Sequence, residues 1–476
     1  MRRNYLMAIA VAALLTVATV AQAADVTFGG QFRPRFNIDN DSSDTSSPNT
    51  FFDTRVRLNA KAKVNANTEV FLQFQSVGVW GSDTAINGED GDGTRLSEGG
   101  GADQANDTLT DVGFHQAYLT LKNFGGYAAD LKVGRQEVVV DGHRLFGHTG
   151  WTQGAQTSDA IRLTHAAGNH TLNYTYIAAR ENDDVNSIAR NDSNVHFVHA
   201  QTQGIMGGTL TGIFTITDDD GGNNSDAFED HEVWYTVGAR QKGKLSGLDY
   251  RVEFYHQFGD AGNIASDCAC AITGASETGD VVDRDASMFG LRVGKTFKNA
   301  AWSPTVTLWF DSLSGVDDDD AAGGEFGAFD TMYDTGHKFY GLMDFYLART
   351  GSMTGFYGLE DYAIKFKGTP KAGWTVKADW HHFRTQTNIS GSDADTVIAT
   401  DATLGGAMDE DLGTELDLTL AHKYDANTTI AIGYSHYWTT STFGMMNGGA
   451  AGSGGTAGSN NNDDADWTYL QIDTKF

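Results

Sequence analysis

From Val26 onward, apolar and polar residues alternate along most of the chain with a period of two. In one run, Phe52, Val56 and Leu58 fall on one face, while Arg55 and Arg57 fall on the other. Alternation with this period is the signature of β-strands whose two faces meet different surroundings. The pattern therefore predicts an all-β protein.

The alternating runs are long and spread over the whole chain. Most are close to the roughly 9–11 residues that a tilted strand needs to cross a bilayer. The eighteen predicted strands are 26–36, 51–64, 69–80, 112–122, 129–138, 158–165, 170–179, 194–202, 207–217, 231–241, 246–258, 286–298, 302–312, 359–367, 373–385, 411–422, 427–438 and 467–476.

The connections between these runs alternate in length. Short ones, such as 65–68 and 242–245, are interleaved with long ones, such as 81–110 and 313–358. Short turns at one end and long loops at the other are typical of a bacterial outer-membrane barrel. We therefore predict a transmembrane antiparallel β-barrel of about eighteen strands, with short periplasmic turns and long acidic extracellular loops. A soluble β-sandwich is the alternative, but its strands are usually nearer to about five or six residues.

The N-terminus has the pattern of a secretory signal peptide. Arg2 and Arg3 precede an apolar stretch over 5–21, and Ala21-Gln22-Ala23 forms a small-x-small cleavage site. We expect residues 1–23 to be removed and 24–476 to form a single barrel domain in the bacterial outer membrane. A membrane-anchoring helix is the alternative interpretation of the same stretch.

Charge is distributed unevenly between the loops and the barrel. The chain has 62 acidic and 33 basic side chains and a formal net charge of −29, which argues against nucleic acid binding. The nine predicted outer loops sum to −36, so the rest of the chain carries +7. These loops are 37–50, 81–110, 139–157, 180–193, 218–230, 259–285, 313–358, 386–410 and 439–466. A mildly basic barrel below an acidic crown is therefore predicted.

The acidic runs 218–220 and 317–320 have two interpretations. They could hold Ca²⁺ or bridge lipopolysaccharide through divalent ions, because carboxylates are the ligands that such ions prefer. They could also be solvated loops whose like charges repel one another. No run has the spacing of an EF-hand, which favours the solvated loops.

Basic side chains recur on the polar faces of the predicted strands. Arg33 and Arg35 on the first strand and Arg55 and Arg57 on the second flank the same loop, so they should lie at similar heights. A ring of arginines favours anions in a narrow pore because the guanidinium group keeps its charge. Alternatively, acidic residues on the same faces, such as Glu253, neutralise them. The further pore-lining candidates are Arg162, Arg240, Arg251, Arg292, Lys365, Lys367 and Lys377.

The sequence lacks the motifs of the common catalytic sites. A nucleophile elbow, a phosphate loop and a His-Glu-x-x-His motif are all absent. His381 and His382 are adjacent strand residues that point to opposite faces, so they cannot ligate one ion. Cys268 and Cys270 lie in a predicted outer loop, where either a disulfide or a metal-binding pair stays open. We therefore predict neither an enzyme nor a bound cofactor or metal.

Five short motifs follow one another between 132 and 415. Lys-Val-Gly-Arg-Gln-Glu lies at 132–137, Asp-Gly-His-Arg-Leu-Phe-Gly at 141–147 and Asp-Ala-Ile-Arg-Leu at 159–163. Phe-Asp-Thr-Met-Tyr-Asp-Thr-Gly-His-Lys at 329–338 is the most specific, and Leu-Gly-Thr-Glu follows at 412–415. In their order and spacing these motifs resemble the alginate export family of outer-membrane proteins.

The resemblance implies a monomeric barrel of eighteen strands that passes an anionic polysaccharide outward. It also implies an arginine-lined constriction guarded by loops. By motif match it adds Arg135, Arg144 and Lys338 to the pathway candidates and includes Arg162 again. The very acidic crown departs from this pattern, because it would repel a polyuronate at the exit. The expected cargo is therefore a small or polymeric anionic solute.

Three functions are compatible with the sequence. The first is a porin or export channel that prefers anions. The second is a barrel that sheathes an electron-transfer partner between periplasm and surface, which predicts a wide lumen. The third is a plugged structural or adhesive protein, because loop 313–358 is long enough to fold inward. Expected partners are membrane lipid and lipopolysaccharide, an anionic solute or polysaccharide and a periplasmic export partner, with no nucleic acid.

Overall fold

The computed structural model describes most of the predicted barrel. The described residues are 25–40, 48–80, 112–180, 192–219, 232–261, 282–347, 354, 356–389, 409–448 and 464–476. The predicted signal peptide, Cys268 and Cys270 lie outside these residues.

Long strands make up almost all of the described structure. In chain order they are β1 (Asp25–Asn40), β2 (Asn49–Lys63), β3 (Thr68–Val79), β4 (Gly113–Leu121), β5 (Ala129–Gln136), β6 (Ser158–Ala167), β7 (His170–Arg180), β8 (Ser193–Ile205), β9 (Gly208–Asp219), β10 (Glu232–Leu245), β11 (Leu248–Asp260), β12 (Asp283–Thr296), β13 (Thr305–Leu313), β14 (Glu325–Phe326), β15 (Leu359–Gly368), β16 (Trp374–Arg384), β17 (Asp411–Lys423), β18 (Thr428–Thr439) and β19 (Ala465–Lys475).

Eighteen of these strands form one closed antiparallel barrel. Each pairs with its neighbour in the chain, and β1 pairs with β19 to close the cylinder. The two-residue strand β14 stands outside the series: it pairs in parallel with the start of β12, while β13 pairs directly with β15. The prediction of a barrel of about eighteen strands is confirmed.

The helices are few and short. Helix α1 spans Asp318–Gly323, helix α2 spans Ser441–Gly448, and single 3₁₀ turns occupy Phe124–Gly126 and Gly336–Lys338. Among the described residues, no helix combines the length and the apolar character needed to cross a membrane.

The two faces of the barrel wall have inverted polarity. Outward side chains are apolar and exposed: Phe28 is 72% exposed and Leu308 is 58% exposed. Inward side chains include Thr236 and Gln257, which are fully buried although they are polar. A water-soluble protein buries its apolar face instead, so the outer surface of this barrel is one that meets lipid.

The short turns share one end of the barrel. Three of them have only two residues: Gly168-Asn169 between β6 and β7, Met206-Gly207 between β8 and β9 and Ser246-Gly247 between β10 and β11. In the last two turns all four residues have positive φ, from 48° to 80°. This is the geometry of a type I′ turn, whose twist matches that of the flanking strands. Because the strand number is even, both termini also lie at this end, which we take as periplasmic.

The seam of the barrel depends on a glycine. The backbone N–H of Gly30 donates to Phe476 O at 2.7 Å, and Phe476 N–H donates back to Gly30 O at 3.1 Å. A Cβ at Gly30 would lie 2.6 Å from both Arg57 O and the Phe476 ring. The ring of Phe476 therefore occupies the space that a side chain at position 30 would need.

We expect Gly30→Ala to destabilise the folded barrel by about 1–3 kcal/mol, because the new methyl group overlaps a backbone oxygen and a ring. The measurement is the temperature at which the folded band disappears in heat-modifiability gels. Gly113→Ala is the matched control, since a Cβ there meets nothing within 4 Å. Equal melting of the two variants would contradict the importance of this contact.

Candidate pore constriction

Two connections at the long-loop end fold back into the barrel. The first inner segment, 137–157, joins β5 to β6, and the second inner segment, 314–347, follows β13. The sequence indicated an inward fold only for loop 313–358. An inward fold for the first inner segment was not predicted from the sequence. A signal was present, because predicted loop 139–157 is the only one of the nine predicted outer loops without net charge.

The first inner segment contacts distant parts of the barrel wall. Gln75 on β3 donates through Nε2 to Gly154 O at 2.6 Å. Thr211 on β9 donates through Oγ1 to Asp141 Oδ2 at 2.9 Å. Because β3 and β9 are six strands apart in the sheet, a segment that reaches both lies inside the lumen.

The second inner segment also reaches several walls. Gln257 on β11 donates through Nε2 to Asp330 O at 2.7 Å and accepts from Asp330 N–H at 2.8 Å. Glu415 on β17 accepts from the backbone N–H groups of Leu342 and Met343 at 2.6 and 2.9 Å. This loop therefore lies inside the barrel, as its length allowed.

The two inner segments bind each other. Tyr333 N–H donates to Leu145 O at 2.9 Å, and Gly147 N–H donates to Tyr333 O at 2.7 Å. The rings of Trp151 and His337 stack with their centroids 4.5 Å apart. The two segments thus form one body within the lumen, which we call the constriction.

Three arginines of the barrel wall hold the first inner segment through its backbone. Arg33, Arg35 and Arg55 donate to the carbonyl oxygens of residues 150, 151 and 152 at 2.8, 2.6 and 3.1 Å. They are only 4%, 5% and 3% exposed. Carbonyl groups accept hydrogen bonds but carry no net charge, so these contacts fix the segment without neutralising the guanidinium groups.

Arg57, the fourth arginine of the same two strands, has different partners. It donates to Gln75 Oε1 at 2.7 Å and to His115 Nε2 at 2.9 Å. Its Nη1 lies 3.5 Å from Glu137 at the start of the first inner segment. Arg33 and Arg55 are directly opposed, Arg35 lies two residues nearer the long-loop end and Arg57 two residues nearer the short-turn end. Arg35, 3.9 Å from Asp53, and Arg57 each face a carboxylate.

A second basic cluster surrounds one buried carboxylate. Arg144 from the first inner segment meets Arg240, Arg251 and Arg292 from the wall around Glu253. Their guanidinium nitrogens lie 3.1, 3.5, 3.7 and 2.6 Å from its oxygens, in that order. One carboxylate therefore serves four arginines.

Asp311 and Asp141 add two more carboxylates to this cluster. Asp311 accepts from Arg144 at 2.6 Å and from Arg292 at 3.0 Å. Asp141 lies 3.7 Å from Arg240. With Glu253, the cluster still has fewer carboxylates than arginines, so positive charge remains in excess.

Lys338 carries further positive charge into this region. It is an exposed residue of the second inner segment. Burial of part of the side chain, and then the charges of Arg251 and Arg240, lower the pKa of Lys338. Arg251 Nε and Nη2 are buried and have no hydrogen-bond partner among the described residues. Lys338 is therefore a donor of the constriction that is exposed to solvent, and the mostly buried Arg251 adds positive charge beside it.

The family model described as alginate export matches residues 24–453. The chain belongs to the alginate export family. No curated protein sequence matches it. The family and the barrel together identify a channel of the bacterial outer membrane, whose closed wall is built by a single chain. An absence of catalysis stays a prediction.

Solved structures show the same fold at very low sequence identity. OccD3 of Pseudomonas aeruginosa aligns with a TM-score of 0.52 and 10% identity, over 96% of this chain and 92% of its own. OccAB4 of Acinetobacter baumannii aligns with a TM-score of 0.54 and 12% identity, over 96% and 100%. Identities this low establish the porin-like fold of this alginate export protein and nothing finer.

The remaining predicted site residues of this alginate export barrel lie outside the constriction. Arg162 faces the lumen opposite Lys132. Lys365 lies 3.3 Å from Asp379 on the lumen face. Lys367 and Lys377 are exposed and directly opposed near the periplasmic end.

Arg135 is placed differently from the other candidates. It is opposite Asp159, and its Nη2 lies 2.7 Å from that carboxylate. Asp159 shares its face of β6 with Ile161 and Leu163, which are exposed to the lipid side. Arg135 therefore lies on the outer surface of the barrel, and its position does not support the prediction that it lines the pore.

The acidic run 317–320 has a structural role in the described residues. Asp320 N–H donates to Asp317 Oδ1 at 2.9 Å, and Asp317 N–H donates to Asp320 Oδ2 at 3.1 Å. This reciprocal pair caps the N-terminus of α1. Among the residues that the structure describes, no group of three or more His, Cys, Asp or Glu could hold a metal ion. The Ca²⁺ interpretation gains no support there.

We expect Arg33→Ala combined with Arg55→Ala to raise single-channel conductance. Each lost hydrogen bond to a charged group costs roughly 1.5–3 kcal/mol, so the first inner segment should leave the wall and widen the path. Planar-bilayer recording gives the measurement. Arg135→Ala is the control, because Arg135 lies on the outer surface of the barrel. Unchanged conductance in the double variant would mean that other contacts suffice to hold the segment.

We expect acidification to loosen the constriction through two histidines. Burial, Lys338 and His148 lower the pKa of His143 from 6.5 to about 4, and burial also lowers the pKa of His148. An unfolded histidine takes up its proton near pH 6.5, so the stability that the neutral rings provide is present above that pH and is lost as pH falls toward 4. Conductance should rise over this window.

The test compares the wild type with His143→Asn combined with His148→Asn, recording conductance between about pH 7 and pH 4. The double variant should show a flatter profile. His165→Asn, an exposed position at the periplasmic end, should keep the wild-type profile. Identical profiles for all three proteins would assign the pH response to other groups.

Proposed function

We propose that this outer-membrane channel conducts anionic solutes past the basic side of the constriction. The observation that supports this most strongly is the excess of arginines over carboxylates in the cluster around Glu253, with the exposed Lys338 beside it. A guanidinium and an ammonium group at a narrow point lower the energy of an anion and raise that of a cation.

The inner segments argue for small solutes or one extended chain. They contact strands around the barrel, from β3 to β18, and so reduce the cross-section available. A barrel that sheathes an electron-transfer protein needs the wide lumen that this geometry does not offer. A plugged structural protein is not favoured either, because Lys338 stays exposed to solvent within the barrel.

Carboxylates are the anionic groups that best match the arginine and lysine side chains of the constriction. Arginine forks to planar anions, and lysine contributes a compact charge that tolerates different positions of the solute. Polymeric uronates and small organic acids share this group. The structure of OpdK with vanillate, which aligns with a TM-score of 0.50 and 9% identity, belongs to another protein of the same fold.

The test of the proposal is the reversal potential in a planar bilayer under a KCl gradient. We expect the wild type to be anion-selective. Removing two positive charges by Arg251→Gln and Lys338→Gln should lower the ratio of chloride to potassium permeability by on the order of tenfold, since local charge sets local ion concentration.

Arg135→Gln combined with Lys295→Gln is the matched control for this double variant. Both side chains belong to the outward face, so the change in net charge is the same without a change in the lumen. Wild-type selectivity is expected there. A cation-selective wild type would overturn the proposal and make the acidic crown the dominant element.

A further inference from the structure

The lysines of the chain are concentrated at one end. The sequence has fifteen lysines, and fourteen of them lie in the periplasmic half of the strands or in the short turns. The exception is Lys338 in the constriction. Eight of the eighteen arginines belong instead to the two clusters of the constriction. The separation of lysines from arginines along the barrel axis needs an explanation, since any polar residue would keep the lumen hydrated.

Three pairs of like charges face one another across adjacent strands on the lumen side. Lys132 opposes Arg162 on β5 and β6. Lys242 opposes Arg251 on β10 and β11. Lys367 opposes Lys377 on β15 and β16. Arg251 belongs to the constriction, and we call the other five residues, Lys132, Arg162, Lys242, Lys367 and Lys377, the periplasmic belt.

Like charges at directly opposed positions destabilise a sheet. Lys242, Lys367 and Lys377 are exposed and have no ion-pair partner among the described residues. Lys132 lies over the ring of Tyr118 at 3.7 Å and also makes no ion pair within the described part of the chain. Of the six opposed residues only Arg251 has a nearby carboxylate, Glu253, within the described part of the chain, so the five belt residues carry a cost in stability that ion pairs do not offset.

The acidic groups at this end are engaged elsewhere. Glu69 lies 3.2 Å from Lys61 and 3.1 Å from Lys122, and Asp249 lies 2.9 Å from Lys244. Those lysines lie outside the belt. The acidic groups therefore leave the charge of the belt uncompensated.

The direction of the side chains narrows the choice of partner. Lys242, Lys367 and Lys377 share their faces with buried lumen residues such as Arg240 and Asp361, so they point into the lumen. Phospholipid head groups meet the outward face and cannot reach them. A globular protein docked on the turns would meet the turns first, whereas a solute or an extended chain inside the lumen meets the belt.

We propose that the periplasmic belt is a second anion-binding site, separate from the constriction, which captures carboxylate-bearing solutes from the periplasmic side. This inference rests on the proposed function, because it assumes an anion path through the lumen. The acidic crown at the far end repels the same solutes. The charge gradient along the axis then makes capture from the periplasm faster than capture from outside.

Citrate is the probe for the test, as a compact anion with several carboxylates. Channels are inserted in one orientation, which an epitope tag in the connection between β9 and β10 verifies. Citrate is added to either side at about 0.1 M KCl, and the rate of current block is measured. We expect a faster association rate from the periplasmic side, and loss of the difference at about 1 M KCl, where the screening length falls to about 3 Å.

The decisive variant is Lys242→Gln, Lys367→Gln and Lys377→Gln together. The association rate from the periplasmic side should fall about tenfold, while the rate from the outer side stays at the wild-type value. The matched control replaces Lys295, Lys298 and Lys371 by Gln, because these exposed lysines lie on the outward face or in turns. The control should bind citrate like the wild type.

The outcomes separate the two proposals. A wild type without anion selectivity would overturn the proposed function. A wild type that is anion-selective, but is blocked equally fast by citrate from both sides, would overturn the belt alone. The belt is also overturned if both triple variants lose association rate to the same extent, since net charge rather than position would then govern capture.

Discussion

The structure of this channel depends on buried guanidinium groups that bind the backbone of a loop inside the barrel. Arg33, Arg35 and Arg55 are almost fully buried and donate to three successive carbonyl oxygens. A buried charge without hydrogen bonds would be costly, and a buried loop would leave carbonyl groups unsatisfied. The guanidinium groups gain acceptors for their hydrogen bonds, and the carbonyl groups gain donors. The wall therefore holds the loop, and the loop keeps the arginines in one place.

The same logic extends across the lumen. Arg144 on the first inner segment donates to Asp311 on the wall and to Tyr340 on the second inner segment, at 2.6 and 2.7 Å. Glu415 on β17, three strands along the wall from Asp311, accepts from two backbone N–H groups of the second segment. Side chains of the wall thus complete the hydrogen bonds of irregular backbone that lies away from bulk water. Both segments are fixed inside the lumen in this way.

Arginine and lysine have separate places in this lumen for a physical reason. Arginine presents several donors in a rigid fork, which suits the fixed carbonyl and carboxylate partners of the constriction. Lysine is a mobile point charge that stays hydrated, which suits an open mouth such as the region of Lys367 and Lys377. Basic residues on the polar strand faces therefore fall into two groups. The arginines hold the inner segments in place, and the exposed lysines can meet a solute.

The sequence by itself determined the strands, their number and their two faces. A period of two records which side of the wall each residue meets, as at Phe28 and Arg33, and this is a local property of the chain. Only the tertiary structure decided that 137–157 enters the lumen, because the partners of its carbonyl groups lie about a hundred residues away on β1 and β2. Arg135 lies within the reach of the local pattern: counted from Leu131 and Val133, alternation puts it on the outward face where the structure has it, and only the motif match had suggested the lumen.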